Sequence, residues 1–306
     1  MEPPAERPEL SPPGDARPEP GHVRLPSAWF RVARPLRQTA ALVVASPHSG
    51  RTYPPALLAQ SRLDLATLRR AEDFMVDALF EAAPACGAPL IAAEFPRSFL
   101  DVNREPYELN PEMFDGPVPA HVNAASPRVR MGFGTVPQMV AGGREIYRGK
   151  LAFAEAERRI AEVHRPYHHA LAVLLAETLA CFGSAMLLDA HSMPSSGAGA
   201  APAPDIVLGD RFGRACDARL TDEAERLLRG MGYRVRRNDP YAGGFTTEHY
   251  GRPARGVHAL QVEINRALYM DEANLELIPR AATVQADMRR LMAGLADLAA
   301  PALAAE

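Results

Sequence analysis

The sequence predicts an α/β fold: one three-layer αβα domain built on a mixed, largely parallel sheet. Three observations carry that expectation. From Trp29 onward, short apolar runs alternate with longer segments of helical periodicity, the order expected when crossover helices join strands of one sheet. The 306 residues, 47% of them hydrophobic, suffice for a single large core. Several apolar runs also end in polar clusters, and open α/β sheets gather their ligands at the carboxyl ends of strands.

The first 26 residues hold eight of the 29 prolines and few large apolar side chains. They cannot bury enough surface to offset the entropy of ordering, so residues 1–26 are expected to be a disordered extension and 27–306 the folded domain. Ala41–Ala45 reads as a buried strand closed by the turn cluster Ser46–Gly50. Asp64 is placed to cap a short helix through Arg70, and Phe74–Ala82 has helical spacing. Pro89–Phe95 and Ser98–Val102 read as strands. A helical pattern runs from Glu145 to Cys181, with Pro166 expected to break or kink it near His164–Arg165. Ala185–Leu188, Ile206–Leu208, Tyr233–Arg237 and Val257–Asn265 read as strands, Ser195–Pro204 as a flexible loop, and Asp217–Met231 and about Arg280–Leu298 as helices.

Composition excludes several function classes. A formal net charge of −3 provides no field for nucleic acid or an anionic membrane. No run approaches the roughly 18 apolar residues of a membrane helix, and the N-terminus lacks a signal pattern, so the expected compartment is the cytoplasm. Three widely spaced cysteines (Cys86, Cys181, Cys216) argue against a disulfide scaffold or a zinc ribbon.

The polar clusters narrow the chemistry. His48 follows the first strand, Asp189-Ala190-His191-Ser192 closes another, Glu263–Arg266 a third, and Asp101–Arg104 follows Ser98–Leu100. Two neutral imidazoles and one carboxylate make the three-ligand site of a catalytic zinc. Asp189, two residues before His191, is placed to orient that ring. Glu263 shares a strand face with Gln261 and Ala259, and a carboxylate beside a metal can take a proton from water. Arg104 offers a planar fork for a substrate carboxylate. Each residue also has a plainer reading. A lone histidine after a strand is more often a loop or core residue, Asp189 can bond its own turn, and Arg104 can pair with Asp101 or Glu105.

A series of motifs occurs in order: SPHSGRTYP, Glu72-Asp73, FPRSFLDVNREP, GTVP, GREIYRG, HRPYHHAL, LLDAHSMPS, GGFTTEHYG and VHALQVEINRALYM. Together, from about residue 41 to 295, they resemble the N-formylglutamate amidohydrolase family, which is similar in fold to the zinc carboxypeptidases and aspartoacylases. The resemblance implies a zinc-carboxypeptidase-like domain that binds Zn2+ or another divalent ion and cleaves a small N-acyl amino acid bearing a carboxylate. N-formyl-L-glutamate is the substrate it favours, giving formate and glutamate in histidine degradation. Another N-acyl amino acid, or a relative that binds without turnover, is the alternative. His48 and His191 are then metal ligands, Glu263 the catalytic base, Asn103 and Arg104 the carboxylate clamp, and Asp189 a supporting partner. The wider group carries a glutamate three residues after the first histidine, where this chain has Arg51. The missing ligand is therefore assigned to Asp73, with Glu72 its competitor, and Arg51 is left to hold an anionic substrate. Arg148 supplies a further cationic contact, His249 reaches the site from its loop, and His164 and His168 play a supporting role.

Overall fold

The computed structural model describes residues 22–26, 29–140, 142–195 and 203–299. Its principal sheet has eight strands: β1 (His22–Pro26), β2 (Phe30–Pro35), β3 (Leu42–Ser46), β4 (Leu90–Ala93), β5 (Ala185–Met193), β6 (Ile206–Gly209), β7 (Val235–Arg237) and β8 (Val257–Asn265). Their order is β1-β2-β4-β3-β5-β8-β6-β7. The central four, β4, β3, β5 and β8, are mutually parallel. On one side β2 and β1 add antiparallel; on the other β6 is antiparallel to β8 and carries β7 parallel to itself. The sheet is mixed and largely parallel, as its apolar runs predict. Every residue of β3, β4 and β5 is buried, which requires cover on both faces.

Strand alternation divides the core in two. Leu42 and Val44 pack on one side with residues of the helices Val76–Leu79, Ala218–Gly230 and Ala281–Ala299. Val43 and Ala45 face the other way, against Phe153–Arg159 and Arg165–Phe182. Asp64 and Asp217 cap their helices by accepting the backbone N–H of Thr67 (2.8 Å) and Arg219 (2.9 Å). No helix among the described residues is long and apolar enough to cross a membrane. The three cysteines are free.

Several sequence expectations are corrected. His22–Pro26, assigned to the extension, is an edge strand paired along its length with Arg31–Pro35; residues 1–21 of that extension lie outside the described residues. Within the expected loop Ser195–Pro204, residues 196–202 do too. Ser98–Val102 is a turn, because the Pro96 carbonyl accepts the N–H of Phe99 (2.9 Å) and Leu100 (3.4 Å). The helix expected from Phe74 begins at Val76, since Met75 sits at φ 56° while the Asp73 N–H is held by the His48 carbonyl (3.0 Å). The long helix begins at Phe153 rather than Glu145, because Arg144–Glu145 pairs with Met139–Val140. Pro166 does not break it. A π-helical turn, Ile160–His164, absorbs the hydrogen bond that proline cannot make.

Gly50 brings the loop after β3 against the turn after β4. A Cβ there would stand 2.0 Å from the Phe95 carbonyl oxygen. Gly50→Ala is expected to destabilise the protein by about 3 kcal/mol, the cost of overpacking against backbone. A lowered urea midpoint at unchanged slope is the readout, and wild-type stability would refute the close approach.

Candidate active site

Strands β3, β5 and β8 are adjacent and parallel, so their carboxyl ends share one edge of the sheet. Pro47 cannot extend the β3 ladder, and His48 follows it. In the β5–β8 register Asp189 lies opposite Gln261, and His191 opposite Glu263. The two-residue period puts Asp189 with His191, and Gln261 with Glu263, on common faces. The turn after β4 supplies Asp101, Asn103 and Arg104, and Asp73 arrives from the turn before Val76.

These residues converge. His48 Nδ1 lies 3.3 Å and His191 Nδ1 2.9 Å from the same oxygen, Asp73 Oδ2. One donor atom from each of His48, Asp73 and His191 lies within 4.8 Å of the others, and all three residues are buried. The far ring nitrogens are backed by acids: His48 Nε2 is 2.8 Å from Asp101 Oδ1, and His191 Nε2 is 3.1 Å from Asp189 Oδ1 and 3.2 Å from Asn103 Nδ2.

Two buried features bear on whether a metal fits. His48 Nδ1 has no hydrogen-bond partner, and neither oxygen of Asp189 has a donor. A cation facing both Nδ1 atoms would account for the first. It would leave the His48 proton on Nε2, where that ring donates to Asp101, as histidine ligands usually do. Two imidazole nitrogens and a carboxylate suit zinc, and other divalent transition metals as well.

The charges are strongly biased. Burial alone would raise the Asp73 pKa, but the hydrogen bond from His191 and the proximity of the His48 ring hold it well below the usual range. Asp101 is likewise held down against burial, chiefly by Arg97, with His48 and Arg104. Burial opposes a proton on His191, yet Asp189 and Asp73 raise its pKa well above normal. Glu263 goes the other way. Burial, with Asp73 and Asp189 adding to it against His191 and Arg97, pushes its carboxyl up to about 7. Gln261 Nε2 donates to Glu263 Oε1 (2.8 Å) while its own Oε1 accepts the Gly244 N–H (2.9 Å). These groups open onto a cavity of about 530 Å³.

Residues 40–270 match the profile of the N-formylglutamate amidohydrolase family. The chain belongs to the N-formylglutamate amidohydrolase family. It is 32% identical over 240 residues to an N-formylglutamate deformylase of Pseudomonas aeruginosa, covering 76% of this chain and 82% of that protein. The crystal structure of an N-formylglutamate amidohydrolase from Ralstonia eutropha superposes with a TM-score of 0.84 at 39% identity, covering 89% of this chain and 98% of that one. A protein from Agrobacterium tumefaciens shares the fold at TM-score 0.62 and 21% identity, covering 85% of this chain and 92% of that one.

In this N-formylglutamate amidohydrolase family member the residues singled out from sequence divide into two groups. His48, Asp73, His191, Glu263, Asn103 and Arg104 line the cavity, with Asp189 behind His191. Asp73, not Glu72, lies between the histidines; Glu72 instead accepts from Tyr53 (2.8 Å) and Arg69 (3.1 Å). Three others do not line the cavity. Arg51 turns to Asp77, at 3.0 and 3.2 Å, because among the described residues that buried acid has Arg31 alone besides to balance it. Arg148 Nε donates to the Ser61 carbonyl (2.8 Å). His249 stacks on Phe245 at 5.0 Å, on the side of its helix that meets His168. Sequence reasoning missed Arg266, which donates to the Glu72 carbonyl (2.6 Å), Ser192 Oγ (3.0 Å) and Asp73 Oδ1 (3.2 Å). Its signal was its place directly after β8. Asp101, read only as an ion-pair partner of Arg104, does lie 3.7 Å from Arg104 Nε through Oδ2, and through Oδ1 it also backs His48.

His164 and His168 hold the Asp101–Arg104 turn from behind. Their Nε2–H groups donate to the carbonyls of Arg104 (3.0 Å) and Val102 (2.8 Å). Burial, with repulsion from His164, lowers the His168 pKa to about 3. The unfolded chain therefore takes up a proton near pH 6.5 that the folded ring refuses, and stability contributed by His168 falls as pH drops below 6.5. His168→Phe is expected to flatten the acid limb of unfolding stability by about 1.4 kcal/mol per pH unit between pH 6 and 4. Urea titrations at several pH values measure it; an unchanged limb rejects the neutral clamp.

Proposed function

We propose that this chain hydrolyses the amide bond of N-formyl-L-glutamate with a divalent metal, zinc first, held by His48, Asp73 and His191. The observation that carries the reading is the adjacency of those three converging donors to a buried carboxylate, Glu263, whose pKa is raised to about 7. A metal bound there supplies Lewis acidity toward the formyl carbonyl and toward water.

The protein's own groups do the rest. Glu263, whose carboxyl pKa is raised by burial, is suited both to take a proton from the attacking water and to return it to the departing amine. Gln261 fixes one of its oxygens. Asn103, anchored through Oδ1 by the Thr246 N–H (2.8 Å), sets its Nδ2 beside His191 Nε2 (3.2 Å) at the cavity wall, and Arg104 presents a guanidinium for a carboxylate. One water is consumed, the C–N bond breaks, and formate and glutamate leave, a step that fits histidine breakdown. Metal analysis with formate release from N-formyl-L-glutamate tests the proposal; metal-free protein at full activity, or no formate, rejects it.

A second reading concerns the acyl group. Met131, Phe133, Met139 and Val140 give the cavity an apolar wall, which favours an acyl chain longer than formyl. A higher kcat/KM for N-butyryl- than for N-formyl-L-glutamate would select it.

A further inference from the structure

Five arginines line the cavity (Arg70, Arg97, Arg104, Arg128 and Arg266) against three carboxylates, a formal excess of two positive charges before any metal. Most of that charge is engaged. Arg97 Nε donates to Asp101 (2.9 Å), and Arg266 to Asp73. Arg104 uses Nε on the Phe133 carbonyl (3.1 Å) and Nη1 on the Asn103 carbonyl (2.9 Å). The Arg128 guanidinium, half-buried, makes no hydrogen bond or ion pair with any described residue. Glu108, which neighbours this segment, makes no ion pair with Arg128; its Oε1 accepts from the Ser126 hydroxyl.

The chain also holds Arg128 and Arg104 together. Phe133 donates its N–H to the Arg128 carbonyl (2.9 Å) and accepts Arg104 Nε on its own carbonyl. Ser126 Oγ caps the short helix Pro127–Arg130 by accepting the Arg128 N–H (3.2 Å). Burial lowers the Arg104 pKa, and Arg97 and Arg128 push the same way against Asp101 and Glu108. Two guanidinium groups on one cavity wall that repel one another, one of them unpaired, form an anion site.

We propose that Arg128 is the specificity residue for a second substrate carboxylate, pairing with Arg104 to select dicarboxylic N-acyl amino acids over their monocarboxylic isosteres. This rests on the amidohydrolase reading, in which Arg104 takes the first carboxylate. Arg70 is the rival, also unpaired but exposed at the rim.

The test compares wild type, Arg128→Met, Arg128→Lys and Arg70→Met on N-formyl-L-glutamate and N-formyl-L-glutamine, with calorimetric binding of glutarate and its monoamide alongside. Arg128→Met is expected to shrink the dianion-to-monoanion ratio of kcat/KM by about 30-fold, through KM rather than kcat. Lysine is expected to restore part of the ratio, and Arg70→Met to leave it near wild type. An unchanged ratio in Arg128→Met, an equal loss on both substrates, or a collapse in Arg70→Met overturns the assignment. Should wild type release formate from neither substrate, the amidohydrolase reading fails, while the glutarate-to-monoamide binding ratio still decides the role of Arg128.

Discussion

Glu263→Gln is expected to lower kcat on N-formyl-L-glutamate by about 10³-fold, the middle of the range for general-base loss, with metal retained and KM little changed. Glutamine preserves the shape of the side chain and its contact with Gln261 but cannot take a proton. The pH dependence gives an independent check. The base must be ionised to act, so the wild-type rate is expected to fall on the acid side, at a pH lowered by the metal's charge from the metal-free value of about 7, and that limb is expected to vanish from the residual rate of the variant. Stability has the opposite sign. The unfolded carboxyl ionises near 4.5, whereas the folded one keeps its proton to about 7, so metal-free wild type loses stability as pH rises between those values. The glutamine variant escapes that loss, worth about 3 kcal/mol on the pKa difference. Metal-free urea unfolding at pH 5 and pH 8 measures it. A variant with near-wild-type turnover ends the case for Glu263 as the base.

Much of this site was legible because it is built on sheet geometry. The polar clusters closing β3, β5 and β8 are visible as breaks in apolar runs, and parallel neighbours bring such breaks to one edge. The two-residue period then pairs Glu263 with Gln261 and opposes them to Asp189 and His191. Loop residues were less legible, since chain position does not say which way a side chain turns. Arg51 stands three residues from His48, yet the buried charge of Asp77 draws it out of the cavity. Ser98–Val102 has the apolar content of a strand, but Pro96 starts a hydrogen-bonded turn there, and that turn lets Asp101 reach His48. Arg128 lies in a stretch with no strand or long helix, where no periodicity marks which residue faces the substrate.

Asp73→Ala has the second large effect, and it reaches beyond the metal. Asp73 Oδ2 faces both imidazoles, and Oδ1 accepts from Ser192 (3.3 Å) and Arg266 (3.2 Å). Removing the carboxylate takes away one of three donors and leaves the largely buried Arg266 guanidinium without its carboxylate. Metal affinity is expected to fall at least about 100-fold, and metal-free stability by about 3 kcal/mol, the cost of orphaning a buried charge. Asp73→Asn separates the two effects. The amide can still accept from Arg266, so it is expected to recover part of the stability while binding metal poorly, because the negative charge is gone. The stability contribution of Asp73 follows its depressed pKa: present above the unfolded value near 3.8 and lost as pH falls through the folded one. Glu72→Ala is the control, because its partners are Tyr53 and Arg69 rather than the histidines. It is expected to keep full metal occupancy. Metal content and urea midpoints of the three variants decide the matter: full occupancy in Asp73→Ala, or loss confined to Glu72→Ala, moves the third ligand away from Asp73.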